Sequence, residues 1–198
     1  MGDTSERLSV LGILGSPRRR SNTGVLLERA LAGAAAAGAR TELIRLRDLK
    51  FESCRHCGGC DQTGECVVED DMEQVYHALR LAQHLILASP VHFSGVSGET
   101  KAMVDRAQCC WVARYRLKRP LAEEAGERRG AFIATCGGND GRVFEWARHT
   151  VKAFFNSTRF SYWGELFEAN SDQGPPVAER QEVLARAEEL GRRLVGID

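Results

Sequence analysis

The sequence predicts an α/β domain in which a doubly wound, five-stranded parallel sheet carries helices on both faces. Apolar runs of strand length alternate with amphipathic segments of helix length along the chain. This alternation is typical of parallel strands that are joined by helices packed on the sheet. The chain has 198 residues, of which 43% are hydrophobic, and this suffices for one core. We therefore expect a single domain over residues 1–198.

The predicted strands and helices follow one another in strict order. Strands are expected at about residues 8–14, 41–46, 84–89, 130–136 and 160–168. Helices are expected at about residues 22–37, 70–82, 97–111, 141–155 and 177–195. Asp70 or Asp71 is expected to cap the second helix and Asp140 the fourth, while two prolines precede the last helix.

Charge and composition exclude several classes of partner. The 27 basic residues balance the 27 acidic ones, so no overall field attracts nucleic acid or an anionic membrane. No apolar run is long enough to span a bilayer, and residues 1–7 are polar, so we expect neither a signal peptide nor an anchor and a cytoplasmic location. Without a secretory signal, the odd count of seven cysteines favours metal, redox or buried thiols over a disulfide framework.

The segment after the first strand, residues 15–23, has the character of a phosphate cradle. It opens a helix, where unpaired amides and the helix dipole attract an anion. It lacks the glycine spacing of dinucleotide and P-loop sites, which favours a terminal monophosphate over a pyrophosphate. A plain turn with an N-cap and solvated arginines is the alternative. The candidate phosphate ligands are Ser16, Arg18, Ser21, Asn22 and Thr23.

Two further segments follow predicted strand ends, where ligands of doubly wound sheets bind. Residues 89–98 place glycine and serine around two bulky rings, a composition that lets backbone amides approach a flat heteroaromatic ligand. Residues 135–141 supply glycines and amides for a second edge. Each segment alone is also consistent with an ordinary turn. The candidate residues are Pro90, Val91, His92, Phe93, Ser94, Gly95, Val96, Cys136, Gly137 and Gly138.

The one long connection, residues 47–69, is cysteine-rich. Its pattern C-x2-C-x2-C-x5-C comprises Cys54, Cys57, Cys60 and Cys66. Interspersed glycines allow four thiolates to converge on one metal centre, as an iron–sulfur cluster requires. The spacing does not identify the metal, and a four-thiolate zinc site, a disulfide pair or free thiols also fit. Cys109 and Cys110 are expected to be packing residues, and Cys136 a small buried residue.

These motifs together resemble the flavodoxin-like NAD(P)H-dependent FMN reductases, the superfamily of quinone reductases, azoreductases and iron–sulfur flavoproteins. The resemblance rests on residues 15–23, on Asp-Asp-Met at 70–72, and on residues 89–92 continuing to Lys101 and Arg106. It implies a flavodoxin-like fold that binds FMN. The phosphate would lie on residues 16–23, and the isoalloxazine ring against residues 90–97 and the Gly137–Gly138 turn.

The resemblance also implies a reaction. Reducing equivalents would pass from NAD(P)H through FMN to a quinone, free flavin or similar small acceptor, with the flavin N5 rather than a side chain carrying the chemistry. Alternatively, a [4Fe-4S] cluster on the four loop cysteines would take single electrons from a ferredoxin-like partner. A non-catalytic flavin-binding or zinc-stabilised regulatory domain is a third possibility. The family further implies a homodimer or homotetramer, with the helix that carries Lys101 and Arg106 at the interface.

The stretch at residues 111–129 is basic and is predicted to be an exposed insertion. It would receive the phosphate of the nicotinamide nucleotide or an acidic partner, although a solvated surface is the commoner explanation. The same ordinary explanation, surface charge on a helix, applies to Lys101 and Arg106. The basic residues of the stretch are Arg114, Arg116, Lys118, Arg119, Arg128 and Arg129.

Overall fold

A computed structural model describes residues 8–122, 126–173 and 175–196, so the polar segment at residues 1–7 lies outside the described residues. The strands are β1 (Ser9–Leu14), β2 (Arg40–Arg45), β3 (His84–His92), β4 (Gly95–Val96), β5 (Arg129–Thr135) and β6 (Ser161–Glu168). The helices are α1 (Asn22–Ala36), α2 (Met72–Leu81), α3 (Gly98–Arg106), α4 (Gln108–Trp111), α5 (Val143–Ser157) and α6 (Gln181–Leu194). A π-helical turn, Val112–Arg116, extends α4.

Five of the strands form a parallel sheet in the order β2-β1-β3-β5-β6, which confirms the predicted fold class. The strand order reverses between β1 and β3, because the chain first builds outward to β2 and then crosses to the other side of β1. The short strand β4 pairs antiparallel with the end of β3 and was not predicted. The predicted bounds of the five long strands hold to within a few residues.

Helices cover both faces of the sheet, so there are two cores. Neighbouring residues of each strand point to opposite faces and therefore belong to different cores. Leu11, Leu87 and Phe132 belong to one core, under α2, α3 and α5. Val10 and Ile86 belong to the other, under α1 and α6. These last two helices pack very closely at two glycines. A Cβ on Gly33 would lie 2.0 Å from the Glu188 carbonyl oxygen, and one on Gly191 would lie 1.8 Å from that of Ala30.

The prediction that residues 111–129 form an exposed basic insertion is wrong for Arg128, which is buried. Its guanidinium donates hydrogen bonds to the carbonyls of Leu79, Ala82 and Thr158. It also stacks 3.9 Å from the centroid of the Phe160 ring. The accepting carbonyls lie at the carboxyl ends of α2 and α5, where unpaired oxygens and the negative end of the dipole stabilise a cation. Arg128 is therefore a structural residue, and Arg129 is the first residue of β5.

Among the described residues, no helix is both long enough and apolar enough to cross a membrane.

Candidate functional site

The loops that follow β1, β3 and β5 meet in one cavity at the carboxyl edge of the sheet. Nine predicted residues line this cavity, and four others join them. The predicted ones are Ser16, Arg18, Ser21, Asn22, Thr23, Pro90, Val91, His92 and Gly137. The others are Pro17, Thr135, Ser171 and Asp172. Because these residues are far apart in the chain, their common position supports the prediction of a ligand site at the strand ends.

The loop after β1 presents hydroxyl groups at the start of α1. Ser21 is the N-cap, and its Oγ accepts a hydrogen bond from the Gly24 amide at 3.0 Å, which leaves its proton for a ligand. Ser16 is buried, and its Oγ accepts from the Arg18 amide at 3.3 Å. The buried hydroxyls of Thr23 and Thr135 lie 2.8 Å apart. These hydroxyls and the amides at the start of α1 suit an anion with several oxygens.

Gly15 joins this loop to the loop after β3 through hydrogen bonds, at an approach too close for a side chain. Its amide donates to the Ala88 carbonyl at 2.8 Å, and its carbonyl accepts from the Ser97 hydroxyl at 2.5 Å. A Cβ on Gly15 would lie 1.7 Å from the Thr100 Oγ1. The Ser97 amide in turn donates to the Ser89 Oγ at 3.0 Å. The first two ligand loops are thus joined by buried hydrogen bonds.

The second loop is a two-residue β-hairpin. His92 pairs with Gly95, and the two central residues, Phe93 and Ser94, have φ angles of +48° and +63°. Left-handed backbone at both positions defines a type I′ turn, which normally takes Asn-Gly and is disfavoured for other side chains. Phe93 is fully exposed at the tip. Sequence reasoning missed this hairpin because the usual turn residues are absent.

A groove continues from the cavity, between the hairpin and the loop after β5. Phe93, Ser94, Cys136 and Gly138 line it, and Val91 and Gly137 line both spaces. A Cβ on Gly138 would meet no atom within 4 Å, so the space beside this glycine is open. Cys136 is buried as expected, and burial raises the pKa of its thiol. This shape is consistent with a flat ring.

Two predicted residues do not line either space in the described part of the chain. Gly95 and Val96 form β4, and Val96 packs in the core. Asn22 lines the cavity but is already engaged, since its Nδ2 donates to the Ser171 carbonyl at 2.9 Å. Ser171 belongs to the loop after β6, residues 169–173, which sequence reasoning missed. The available signal was a polar Asn-Ser-Asp run after a fourth strand end.

The four loop cysteines line a second cavity, together with Cys109. Cys57 is exposed, and the thiols of Cys54, Cys60 and Cys66 are partly buried. Within the described ranges, no three His, Cys, Asp or Glu side chains are grouped so that they could hold one metal ion. The donor set is nevertheless chemically suited to a metal–sulfur group, because four cysteines line one cavity. The predicted metal site stays a prediction.

Arg106 holds both ends of the cysteine loop, which corrects the interpretation of this residue as ordinary surface charge. Its side chain is 1% exposed. The guanidinium donates to both carboxylate oxygens of Asp70, at 2.6 and 3.0 Å, and to the carbonyls of Glu52 and Val68. Burial works to raise the pKa of the Asp70 carboxyl, but hydrogen bonds from Arg106 and the Met72 amide outweigh burial and lower it. Asp70 also accepts the Met72 amide at 3.1 Å and so satisfies the first amide of α2, whereas Asp71 occupies the N-cap position without a side-chain cap bond.

Cys109 and Cys110 are both buried, as expected of packing residues, but Cys109 also faces the cysteine cavity. Its Sγ lies 3.4 Å from the Arg106 carbonyl oxygen and 4.0 Å from the Cys110 Sγ. The hydrogen bond from the Cys110 thiol lowers the pKa of Cys109. The Tyr76 hydroxyl donates to the same Arg106 carbonyl at 2.8 Å.

The sheet order, the strand-order reversal at β1 and β3, and the anion cradle after β1 together define a flavodoxin-like α/β protein. The chain belongs to the NADPH-dependent FMN reductase family, whose model matches residues 8–161. Both statements confirm the resemblance that the sequence motifs indicated.

Several curated relatives are named iron–sulfur flavoprotein. One from Methanocaldococcus jannaschii is 39% identical over 101 residues, which cover 51% of this chain and 52% of that protein. A second from the same organism is 32% identical over 149 residues, which cover 75% of this chain and 71% of that protein. The chain spans about half the length of the first curated relatives, with coverage of 52% and 54%.

Solved structures share the fold at low sequence identity. An NAD(P)H:quinone oxidoreductase from Methanothermobacter marburgensis superposes with a TM-score of 0.70 at 17% identity, over 97% of this chain and 98% of that one. A flavone reductase superposes with a TM-score of 0.68 at 20% identity, over 95% of this chain and 62% of that one.

Proposed function

We propose that this protein is an FMN-dependent oxidoreductase that transfers reducing equivalents from NAD(P)H through bound FMN to a quinone, free flavin or similar small acceptor. The observation that carries the proposal is the continuity of the hydroxyl-lined cradle after β1 with the open groove beside Gly138. One end suits a phosphate and the other a flat ring. Family membership supports FMN as the ligand.

The residues present fit FMN. The hydroxyls of Ser16, Ser21 and Thr23, the amides that open α1, and the exposed Arg18 guanidinium would hold the phosphate. Residues 90–94 and the Gly137–Gly138 turn would hold the ring. When bound, FMN supplies the hydride and electron chemistry.

The chain's own task on this proposal is placement. The buried link between Gly15 and Ser97 fixes the cradle relative to the hairpin. The hairpin backbone fixes one wall of the groove and leaves the other side open for a nicotinamide or an acceptor. Rigid walls of this kind raise the rate by holding the reacting groups in register. His92 lines the cavity as a wall residue, and the mechanism needs no side-chain acid or base.

A second candidate is an iron–sulfur flavoprotein that takes single electrons from a ferredoxin-like donor. The observation that favours it is the common cavity of Cys54, Cys57, Cys60 and Cys66, whose loop Arg106 holds at both ends. These thiols would hold a [4Fe-4S] cluster, and the names of the relatives are consistent with one. Under either candidate we propose a cytoplasmic homodimer or homotetramer.

An anaerobic absorption spectrum of the purified protein, with iron and acid-labile sulfide assays followed by NADPH, tests both candidates. Flavin bands that NADPH bleaches in an iron-free protein support the first. About four iron and four sulfide per chain, with a flavin that stays oxidised until ferredoxin is supplied, support the second. A protein that retains no flavin contradicts both. Cys60→Ser should lose the iron of a cluster, whereas Cys136→Ser, outside the loop, should keep it.

A further inference from the structure

The loop after β6 closes the candidate site on a side that no motif indicated. Its backbone is bonded to the loop after β5, because the Asn170 amide donates to the Gly138 carbonyl at 2.8 Å and the Ser171 amide to the Cys136 carbonyl at 2.9 Å. The Asn22 side chain binds the Ser171 carbonyl from the α1 side. The loop therefore lies between the two sides of the cavity and is attached to both.

Arg180 holds this loop from behind. Its guanidinium donates to the carbonyls of Asn170 and Gln173, at 2.9 and 2.8 Å, and pairs with the Glu168 carboxylate at 2.8 Å. Each of these groups flanks Asp172 in the chain. A planar guanidinium that binds several acceptors at once fixes them in one geometry. The position of Asp172 is thus set by backbone bonds on both sides of it.

The Asp172 carboxylate lies beside Gly137, the glycine that lines both parts of the site. A Cβ on Gly137 would lie 2.4 Å from the Asp172 Oδ2, so the carboxylate approaches this glycine closely. Gly137 lines both the cradle and the groove, and Asp172 lines the cradle cavity. Within the described part of the chain the Asp172 carboxylate accepts no hydrogen bond and makes no ion pair. A ligand that joins the two ends of the site passes this acceptor.

A carboxylate repels other negatively charged groups but accepts hydrogen bonds from hydroxyls. The chain that links the ring and the phosphate of FMN carries hydroxyl groups and no charge. We propose that Asp172 is a specificity-determining residue that accepts a hydrogen bond from a hydroxyl of this polyol chain, and so selects flavins with a hydroxylated side chain. The inference rests on the proposed function, because it assigns a role within the same flavin site.

The test uses the full chain freed of flavin and measures binding of FMN, riboflavin and lumiflavin by fluorescence titration. Riboflavin lacks the phosphate, and lumiflavin lacks both the phosphate and the hydroxylated chain. Asp172→Ala should raise the dissociation constants of FMN and riboflavin by a similar factor of about ten, and leave that of lumiflavin unchanged. Asp172→Asn keeps an acceptor oxygen and should lose about threefold. The neighbouring Gln173→Ala is the matched control and should change none of the three.

Three results would overturn the assignment. Tighter binding of FMN alone by Asp172→Asn would mean that the carboxylate only repels the phosphate. Equal weakening of all three ligands would mean a general structural effect, and unchanged binding would mean no contact. Failure of the unsubstituted protein to bind any flavin would instead refute the proposed function, so the two failures are distinguishable.

Discussion

The phosphate cradle and the cysteine loop are built in opposite ways. The cradle consists of strand ends and a helix start, and buried hydrogen bonds from Gly15 and Ser97 join its parts. The cysteine loop has no strand or helix between Asp48 and Met72, and its two ends are joined by the Arg106 guanidinium and by hydrogen bonds between Lys50 and Asp71. The fold thus preorganises the cradle, whereas a buried arginine and a few hydrogen bonds hold the cysteine loop to the domain.

Removing the anchor of the cysteine loop is expected to have the largest effect. Arg106→Ala leaves the Asp70 carboxylate and two carbonyls without their donor, and should lower the free energy of unfolding by about 3–5 kcal/mol. Urea denaturation measures the loss. Lys101→Ala breaks an exposed ion pair with Asp105 on the same helix and should cost less than about 0.5 kcal/mol.

Comparing these two variants tests whether the cysteine loop depends on Arg106. Similar losses for Arg106→Ala and Lys101→Ala would show that the loop does not depend on this anchor. If Arg106→Ala fails to fold, Arg106→Lys keeps the charge but not the bidentate fork, and should give an intermediate loss.

A side chain at Gly15, where the cradle approaches Thr100 most closely, is expected to have the second-largest effect on stability. Gly15→Ala places a methyl group 1.7 Å from the Thr100 Oγ1, and the required shift should cost about 1–3 kcal/mol and lower flavin occupancy. Denaturation and the ratio of flavin to protein absorbance measure the two effects. Gly98→Ala, where a Cβ meets no atom within 4 Å, is the control and should be neutral or slightly stabilising. A fully stable, flavin-loaded Gly15→Ala protein would contradict a rigid cradle.

Removing the cap of α1 should have a smaller effect on stability. Ser21→Ala deletes the hydroxyl that caps Gly24, at a cost of about 1 kcal/mol, and should also weaken flavin retention while helical content by circular dichroism stays the same. Asn22→Ala should weaken retention as well, because it releases Ser171 from the site. Ser157→Ala, whose hydroxyl donates to the Ala153 carbonyl within α5, should leave retention unchanged. Unchanged flavin occupancy in Ser21→Ala would count against the phosphate assignment.

The smallest expected effect is on how the free energy of unfolding changes at acid pH. Because Arg106 and the Met72 amide lower the folded-state pKa of Asp70, its contribution is present above the usual carboxyl pKa and is lost as the pH falls through the lowered value. Unfolding free energies between pH 6 and pH 3 should therefore fall less steeply in Asp70→Asn than in the unsubstituted protein. Asp105→Asn, in the exposed pair, should keep the original slope. Identical slopes for all three proteins would contradict this role of Asp70.

Much of the fold was predictable because the signal was local and periodic. The buried strands, such as β1 and β5, are continuous apolar runs, and the helices carry amphipathic patterns between them. The hairpin at Phe93 was not predictable, since its type I′ turn lacks the usual residues and is imposed by pairing with β3. Arg128 was misplaced because a basic residue in a basic stretch does not reveal that two helix ends will accept its hydrogen bonds.

The sequence by itself determined the α/β alternation, the hydroxyl-rich start of α1 and the four-cysteine pattern, because each depends on residues that are close together in the chain. Tertiary structure alone decided that Ser171 and Asp172 join the cradle, that Arg106 holds both ends of the cysteine loop, and that Gly137 lies between the two parts of the site. These contacts join residues far apart in the chain. Apart from the Asp70 carboxylate, the partners in these contacts are mainly backbone carbonyls and amides, which nearly every residue carries, so the side-chain pattern alone does not identify them.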